Sequence, residues 1–276
     1  FFITVLATTG VLIVLALLSV FLPVNDLNIA GMTMSVYNLI SQYILIIGSI
    51  VALVFLAVAG NEKRAAAGLT RQNWKSAVLI VLAFVGIYIV RTVVSVAVQG
   101  VSDGSGMQHV KEWAAMFKNP MMWLNIAALP INYFFVFIAF FGEEYGWRYY
   151  LQPVLQKRFG LRAGVIILGI VWGLWHIPDD LFYYTQTSGI QMIFAQQITC
   201  ISLGIFFAYA YMKTQNIWVP VCLHYLNNNL IPIISGTFSA DVLENQTVSW
   251  KDLPVALVLN GLCFGFFLLA DVFKKK

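Results

Sequence analysis

The amino-acid sequence predicts an all-α, polytopic integral membrane protein with about eight transmembrane helices. Hydrophobic residues make up 60% of its 276 residues, charged residues make up only 10%, and the mean hydropathy is +0.82. A soluble domain carries roughly 25% charged residues, so a soluble globular class is excluded. The net charge of +4 is modest, and we interpret it as a sign of membrane topology and not of nucleic-acid binding.

The apolar segments have the length of membrane helices, because the hydrocarbon core of a bilayer takes about 20 helical residues. The first is too long for the core of a signal peptide and lacks a small-residue cleavage site. In chain order the eight predicted spans are 2–22, 34–59, 76–98, 121–142 or beyond, 161–178, 191–212, 216–233 and 253–273. No repeat or low-complexity stretch divides them, so we expect a single transmembrane domain over residues 1–276.

The distribution of lysine and arginine predicts the topology. Twelve of the sixteen basic residues fall in the loops at 60–75, 143–162 and 213–215 and in the C-terminal tail, and only three fall in the opposite loops. Cytoplasmic loops are enriched in Lys and Arg. With an even number of spans, we expect both termini in the cytoplasm. The short loops favour a bacterial plasma membrane.

Two segments between the spans are expected at the outer face. Residues 108–118 place Trp113 and Phe117 at helical spacing with polar residues opposite, which predicts an amphipathic helix lying on the membrane interface. Asp179 and Asp180 follow a proline, and we expect them in a solvated loop.

Ionisable side chains inside the spans are the strongest indication of function, because charge is costly in hydrocarbon. Glu143 and Glu144 lie at the end of the fourth span, His176 ends the fifth and His224 lies in the seventh. Glu143 is 17 residues before Gly160, and His176 is 16 residues after it. Two helical arms joined at Gly160 would rise equally, so Glu143 and His176 are expected at the same depth.

Glycines on the two arms of this hairpin suggest how the arms pack. Gly142 and Gly146 are four residues apart on the first arm, as are Gly169 and Gly173 on the second. Small residues at this spacing allow membrane helices to approach closely. We therefore expect the arms to meet through these glycines.

The two adjacent carboxylates are expected to have different roles. Glu144 and Arg148 are four residues apart in the acid-first order, which favours a neutralising pair. Glu143 points about 100° away on the helical wheel. An apolar environment disfavours the charged carboxylate, and a proton affinity nearer neutrality makes a better general base for water. We therefore interpret Glu144 as structural and Glu143 as chemical.

The seventh span carries a second polar group. His224 and Asn228 are four residues apart and share one helical face, so together they could hold a developing oxyanion. Trp172 is one turn before His176 and could pack against its ring. A buried histidine or a Glu–Arg pair alone is more often structural. The coincidence of these groups on three spans favours a site.

These motifs resemble those of the CAAX protease and bacteriocin-processing (CPBP, or Abi) family of intramembrane proteases, whose pattern is E-E-x-x-x-R, then F-x-x-x-H, then H-x-x-x-N or H-x-x-x-D. In this chain they are carried by Glu143, Glu144 and Arg148, by Trp172 and His176, and by His224 and Asn228. The second motif has tryptophan where the family usually has phenylalanine. The resemblance covers about residues 130–232, within a protease-like core at about 121–233.

The resemblance implies an intramembrane endopeptidase that hydrolyses a membrane-associated or leader-type peptide. It implies that Glu143 and His176 activate water and that His224 and Asn228 stabilise the oxyanion. Glu144, Arg148 and Trp172 would support them. Bacteriocin processing is one function linked to the family.

A metal is not expected to be required, although His176, His224 and Glu143 form a legitimate zinc-ligand set. We therefore expect no obligatory cofactor. The expected partners are a peptide or protein substrate and the lipid bilayer, with no nucleic acid and an oligomeric state that the sequence leaves open. Two alternatives remain: a non-catalytic membrane scaffold or bacteriocin-immunity protein, and a proton-coupled transporter.

Overall fold

The structure is a computed structural model that describes residues 1–22, 24–25, 27–29, 32–237 and 245–274. It is predominantly helical, as the composition predicts. The α-helices are α1 (Phe2–Phe21), α2 (Val36–Val58), α3 (Asn61–Ala66), α4 (Trp74–Ser102), α5 (Gln108–Met116), α6 (Pro120–Glu144), α7 (Gln152–Phe159), α8 (Leu161–Trp175), α9 (Ile177–Phe182), α10 (Gly189–Thr214), α11 (Trp218–Ser235) and α12 (Asp252–Cys263).

Three kinds of shorter element complete the described chain. A π-helix covers Tyr145–Leu151, between α6 and α7. Two 3₁₀ turns, Gly265–Leu269 and Asp271–Phe273, follow α12. The strands β1 (Leu27–Ile29) and β2 (Met32–Met34) pair antiparallel.

Six helical segments of the described chain are long and apolar enough to cross a membrane, so the protein is an integral, multi-pass membrane protein. They are Phe2–Phe21, Val36–Val58, Trp74–Ser102, Pro120–Phe159, Leu161–Phe182 and Gly189–Thr214. The predicted number of eight is not confirmed. Of the two remaining predicted spans, 216–233 forms α11, which carries several polar side chains. The other, 253–273, forms the 12-residue helix α12 and then changes to 3₁₀ turns.

The described residues form two compact units. One unit comprises residues 1–70 and 128–143. In it α1 packs closely on α2, where Gly48 leaves no room for a β-carbon beside the Thr8 side chain. The Phe1 ring meets the Phe141 ring of α6 edge-on, with centroids 4.9 Å apart.

The other unit comprises residues 71–127 and 144–276 and has α10 at its centre. Phe206 and Phe207 of α10 are fully buried. Phe84 of α4 packs against both of their rings and against Phe264, which follows α12. This aromatic cluster joins α4, α10 and the end of α12, and the predicted catalytic histidines belong to the same unit.

The predicted hairpin is confirmed. Residues 120–159 form one continuous helical segment, and the chain reverses at Gly160, whose φ of 89° favours glycine. The segment is not α-helical throughout, because the π-helix begins directly after Glu144. Such a widened turn is frequent at functional sites. After the two carboxylates, the side chains that share one face of the first arm therefore differ from those that a continuous α-helix would place together.

The predicted packing through the four glycines is wrong. A β-carbon on Gly169 would lie 2.6 Å from Cα of Ile201, and one on Gly173 would meet the Gln197 side chain, so both glycines face α10. A β-carbon on Gly146 would meet nothing within 4 Å. The arms approach instead at Gly164, where a β-carbon would meet the Gln156 backbone. The spacing of small residues marks a contact surface but does not identify the partner helix.

The prediction for Asp180 is also wrong. The residue lies in α9 and is fully buried, whereas a solvated loop was expected. Its backbone N–H donates to the carbonyl of His176 at 2.9 Å, because α9 continues one turn from the end of α8.

Candidate functional site

Glu144 and Arg148 form the predicted ion pair. The Nε–H of Arg148 donates to Oε2 of Glu144 at 2.9 Å, and both side chains are completely buried. A buried charge without a partner is strongly destabilising, so each side chain requires the other. The pair stands where α6 passes into the π-helix.

The Arg148 guanidinium has further contacts that hold it in place. It donates to the backbone carbonyl of Gly204 on α10 at 3.2 Å. It also lies over the rings of Trp172 and Phe207, at 5.3 and 5.5 Å from their centroids. Cation–π contacts of this kind are strongest where water is excluded. Arg148 thus ties the first arm of the hairpin to α8 and α10.

Glu144 also contacts His224, which the sequence did not predict. Nδ1 of His224 lies 2.9 Å from Oε1 of Glu144, across 80 residues of sequence. A carboxylate only accepts hydrogen bonds, so Nδ1 carries the proton. The carboxylate thereby fixes both the tautomer and the orientation of the His224 ring.

His176 has its own orienting contact. Its Nδ1 lies 2.9 Å from the carbonyl oxygen of Trp172, which can only accept a hydrogen bond. In the neutral ring this leaves Nε2 as the acceptor. His176 is therefore held in a tautomer suited to accepting a proton.

Trp172 lies against both histidines. Its ring meets that of His176 with centroids 5.9 Å apart and that of His224 with centroids 5.5 Å apart, edge-on in each case. The expected packing against His176 is confirmed, and the contact with His224 is additional. The indole therefore packs against both His176, which follows α8, and His224 of α11.

The amides of α11 form a short hydrogen-bonded series. Asn227 donates through Nδ2 to Oδ1 of Asn228 at 2.9 Å, and Asn229 donates to the carbonyl of Tyr225. Asn228 is exposed, one turn after the buried His224. The predicted pairing of a histidine and an amide on one face of this helix is consistent with that arrangement.

The two histidines and the Asn228 amide lie around a cavity of about 390 Å³. His176, His224 and Asn228 line it, together with Trp172 and Cys200. Its other lining residues come mainly from α10 and from the segment after α9. The cavity thus brings three of the four predicted catalytic residues to one space within one compact unit.

Glu143 directly precedes Glu144 at the end of α6 and is partly buried. It belongs to the unit that contains residues 128–143. The depth expected for it, and its partnership with His176, stay predictions.

The zinc alternative requires three ligand side chains to converge. Over the described part of the chain, no group of three His, Cys, Asp or Glu side chains could hold a metal ion. The expectation that no metal is required stays a prediction, and the proposed reaction assigns no step to one.

Sequence reasoning missed one residue of this neighbourhood, Tyr88 of α4. Its hydroxyl donates to Oδ1 of Asn227 at 2.5 Å, across 139 residues. A tyrosine in an apolar helix carries no motif. The only available signal was its hydroxyl, which in hydrocarbon requires a partner.

Comparison with known proteins agrees with the motifs. Residues 125–230 match the family described as Type II CAAX prenyl endopeptidase Rce1-like. Over 125 residues the chain is 28% identical to CAAX prenyl protease 2 of Methanococcus maripaludis, a match that covers 42% of this chain. The same match covers 45% of the relative, so the chain spans less than half of that protein's length. No solved structure matches.

The matched interval contains every residue of the three motifs, from Glu143 to Asn228. In the structure the residues of the second and third motifs, Trp172, His176, His224 and Asn228, line one cavity. Over residues 125–230, the chain is therefore similar to the CAAX protease family that its motifs resemble.

Proposed function

We propose that this chain is an intramembrane endopeptidase that hydrolyses a peptide bond with a glutamate-activated water. The observation that supports this most is the cavity lined by His176, His224 and Asn228. Both rings around it have their Nδ1 atoms held by acceptors. Fixed imidazole tautomers and an amide donor are the groups that acyl transfer from a peptide requires.

In the proposed reaction, Glu143 takes a proton from water while the water oxygen attacks the peptide carbonyl carbon. Nε2 of His176 positions that water by accepting a hydrogen bond from its second hydrogen, which stays on the oxygen. The carbonyl oxygen becomes an oxyanion, held by the amide of Asn228 and by the Nε2–H of His224, which is present when the ring is an imidazolium with its Nδ1–H on Glu144. The carbon–nitrogen bond then breaks, and the proton on Glu143 passes to the leaving amine.

Glu144 and Arg148 support this machinery from outside the cavity, and Trp172 supports it from the cavity wall. Glu144 holds His224, Arg148 neutralises Glu144, and Trp172 packs between the two histidines. Preorganised groups stabilise developing charge without reorganising during the reaction. The support therefore contributes to rate by keeping the cavity groups in place.

The proposed substrate is a membrane-associated or leader-type peptide. The matched family is described as a CAAX prenyl endopeptidase family, and the matched relative as a CAAX prenyl protease. A peptide carrying a C-terminal isoprenoid is therefore one of the classes to be tested. We further propose that both termini and the basic turn around Gly160 face the cytoplasm.

The test is cleavage of a peptide library by the purified protein. The library contains CAAX peptides with and without a C-terminal isoprenoid, and leader-type peptides. Wild-type protein is expected to cleave at least one class, and Glu143→Gln protein is expected to cleave none. Retained cleavage by Glu143→Gln would overturn the proposed mechanism. Saturable binding without cleavage by wild type would favour the scaffold alternative.

A further inference from the structure

Tyr88 of α4 lies outside every motif of this chain, but its hydroxyl is bonded to the amide next to Asn228. We infer that Tyr88 is a positioning residue that orients the Asn228 amide, so that its N–H groups face the oxyanion. This inference rests on the proposed function and gives α4 a part in it.

The position of the Tyr88 phenol is closely defined. Only 5% of the residue is exposed, and its ring packs against Phe84 at 4.9 Å and Phe264 at 5.0 Å between centroids. On a third side the Arg91 guanidinium lies 5.9 Å from the ring centroid. Arg91 is itself held by Asn260, whose Oδ1 accepts from Nε at 2.7 Å. The hydroxyl therefore reaches α11 at one place.

The direction of the hydrogen bonds then decides how each amide is turned. The Tyr88 hydroxyl donates, so the Asn227 group facing it is the carbonyl oxygen. The Asn227 Nδ2 must point the other way, and it donates to Oδ1 of Asn228 at 2.9 Å. The carbonyl of the Asn228 amide is thereby occupied.

The remaining half of the Asn228 side chain is a donor. Among the residues that the structure describes, Nδ2 of Asn228 has no protein hydrogen-bond partner, and the side chain is exposed where it lines the cavity. An asparagine turned the other way would present an acceptor to the oxyanion and would repel it. Successive hydrogen bonds also polarise one another, which strengthens the final donor.

Tyr88→Phe removes one hydroxyl and leaves the ring contacts in place. We expect kcat to fall about tenfold, with KM unchanged within about twofold, because one oriented hydrogen bond is lost in the transition state. Tyr43→Phe, at an exposed tyrosine of α2, is the matched control and should leave kcat unchanged.

Asn227→Asp separates the two bonds of the series. The aspartate can still accept from Tyr88, but it has no N–H to donate to Asn228. It should reproduce the kcat loss of Tyr88→Phe. In an Asn228→Ala protein the hydrogen-bonded series has no Asn228 amide to orient. In that background Tyr88→Phe should cause no further loss of kcat. A purely structural Tyr88 would lower kcat equally in both backgrounds, and this result would overturn the inference.

A second measurement keeps the inference testable without turnover. The side-chain amides are observed by NMR in protein labelled with ¹⁵N-asparagine, with assignments from single asparagine substitutions. Tyr88→Phe should shift the Nδ2 hydrogens of both Asn227 and Asn228, and Tyr43→Phe should shift neither. An unchanged Asn228 signal would overturn the inference. Failure of the wild type to cleave any peptide would instead count against the proposed function, with the amide series judged by these spectra.

Discussion

Nδ1 of His224 and Oε1 of Glu144 lie 2.9 Å apart, and Oε2 of the same carboxylate accepts from Arg148. One buried carboxylate therefore serves two partners on different helical segments. Its role extends beyond the charge neutralisation that the i,i+4 spacing predicts. Changing Glu144 is therefore expected to affect both the Arg148 ion pair and the orientation of His224, whereas changing Glu143 should affect neither.

Glu143→Gln is expected to reduce hydrolysis by about 10²–10⁴-fold, the usual contribution of a general base. Glutamine fills the same volume but cannot take a proton from water, so the variant should unfold at or near the wild-type temperature. Peptide cleavage and thermal unfolding in detergent measure the two effects. Glu62→Gln, the same change at an exposed residue of α3, is the control and should leave both unchanged. Wild-type turnover in Glu143→Gln would contradict the assignment.

Glu144→Gln is expected to destabilise the fold by roughly 3–5 kcal/mol, because it leaves the buried Arg148 guanidinium without its counter-charge. The measurement is unfolding in detergent. Replacing both residues, as Glu144→Leu with Arg148→Met, should recover more stability than either single change. The double variant should nevertheless remain poorly active, since His224 has lost its acceptor. Equal loss of stability in Glu143→Gln and Glu144→Gln would show that the two roles have been divided wrongly.

His176→Ala and His224→Ala should each reduce kcat/KM severely, and the double variant should be little worse than either single one. Groups that act as one unit are not additive, because removing the first already disables the second. The check is a double-mutant cycle on the purified proteins, with gel filtration to confirm that each is folded. Losses that simply add would indicate that the two rings act independently.

The connection between α4 and α5 should be sensitive to pH. The Asp103 carboxylate lies 2.6 Å from Nε2 of His109 and raises the pKa of that ring, while hydrogen bonds from Ser105 and His109 lower the pKa of Asp103. The raised His109 pKa stabilises the fold below the unfolded value of about 6.5, and this contribution is lost as pH rises through the folded pKa. The lowered Asp103 pKa stabilises it above about 3.9, and this contribution is lost as pH falls.

Local order at this connection should therefore be greatest between about pH 4 and 6.5. Amide hydrogen exchange of residues 103–109, corrected for the intrinsic pH dependence of exchange, measures it. His109→Gln should abolish the change above pH 6.5. A wild-type profile with the same protection at pH 6 and pH 8 would contradict the prediction.

The proposed topology is tested by labelling single cysteines in a variant that lacks the native ones. Lys157 and Gln186 are suitable positions because both are exposed, whereas Asp180 is buried. A cysteine at Lys157 should react with an impermeant reagent from the cytoplasmic side, and one at Gln186 from the opposite side. The reverse pattern would overturn the charge-based orientation.

Features governed by local chain geometry could be predicted from the sequence. The membrane class follows from composition, the hairpin from helical segments on either side of Gly160, and the Glu144–Arg148 pair from the helical repeat. The number of spans was less predictable. The segments that carry His224 and Cys263 are apolar on average, but polar groups and a change to 3₁₀ turns make them poorer membrane helices.

What the sequence determined by itself was the membrane setting, the three motifs and the face that each motif residue occupies on its own helix. The tertiary structure alone decided which faces meet: Gly169 against α10, Trp172 between two histidines, His224 on Glu144 and Tyr88 on Asn227. The reason is physical. Helical periodicity fixes neighbours within about four residues, whereas contacts across 80 or 139 residues depend on how whole helices pack.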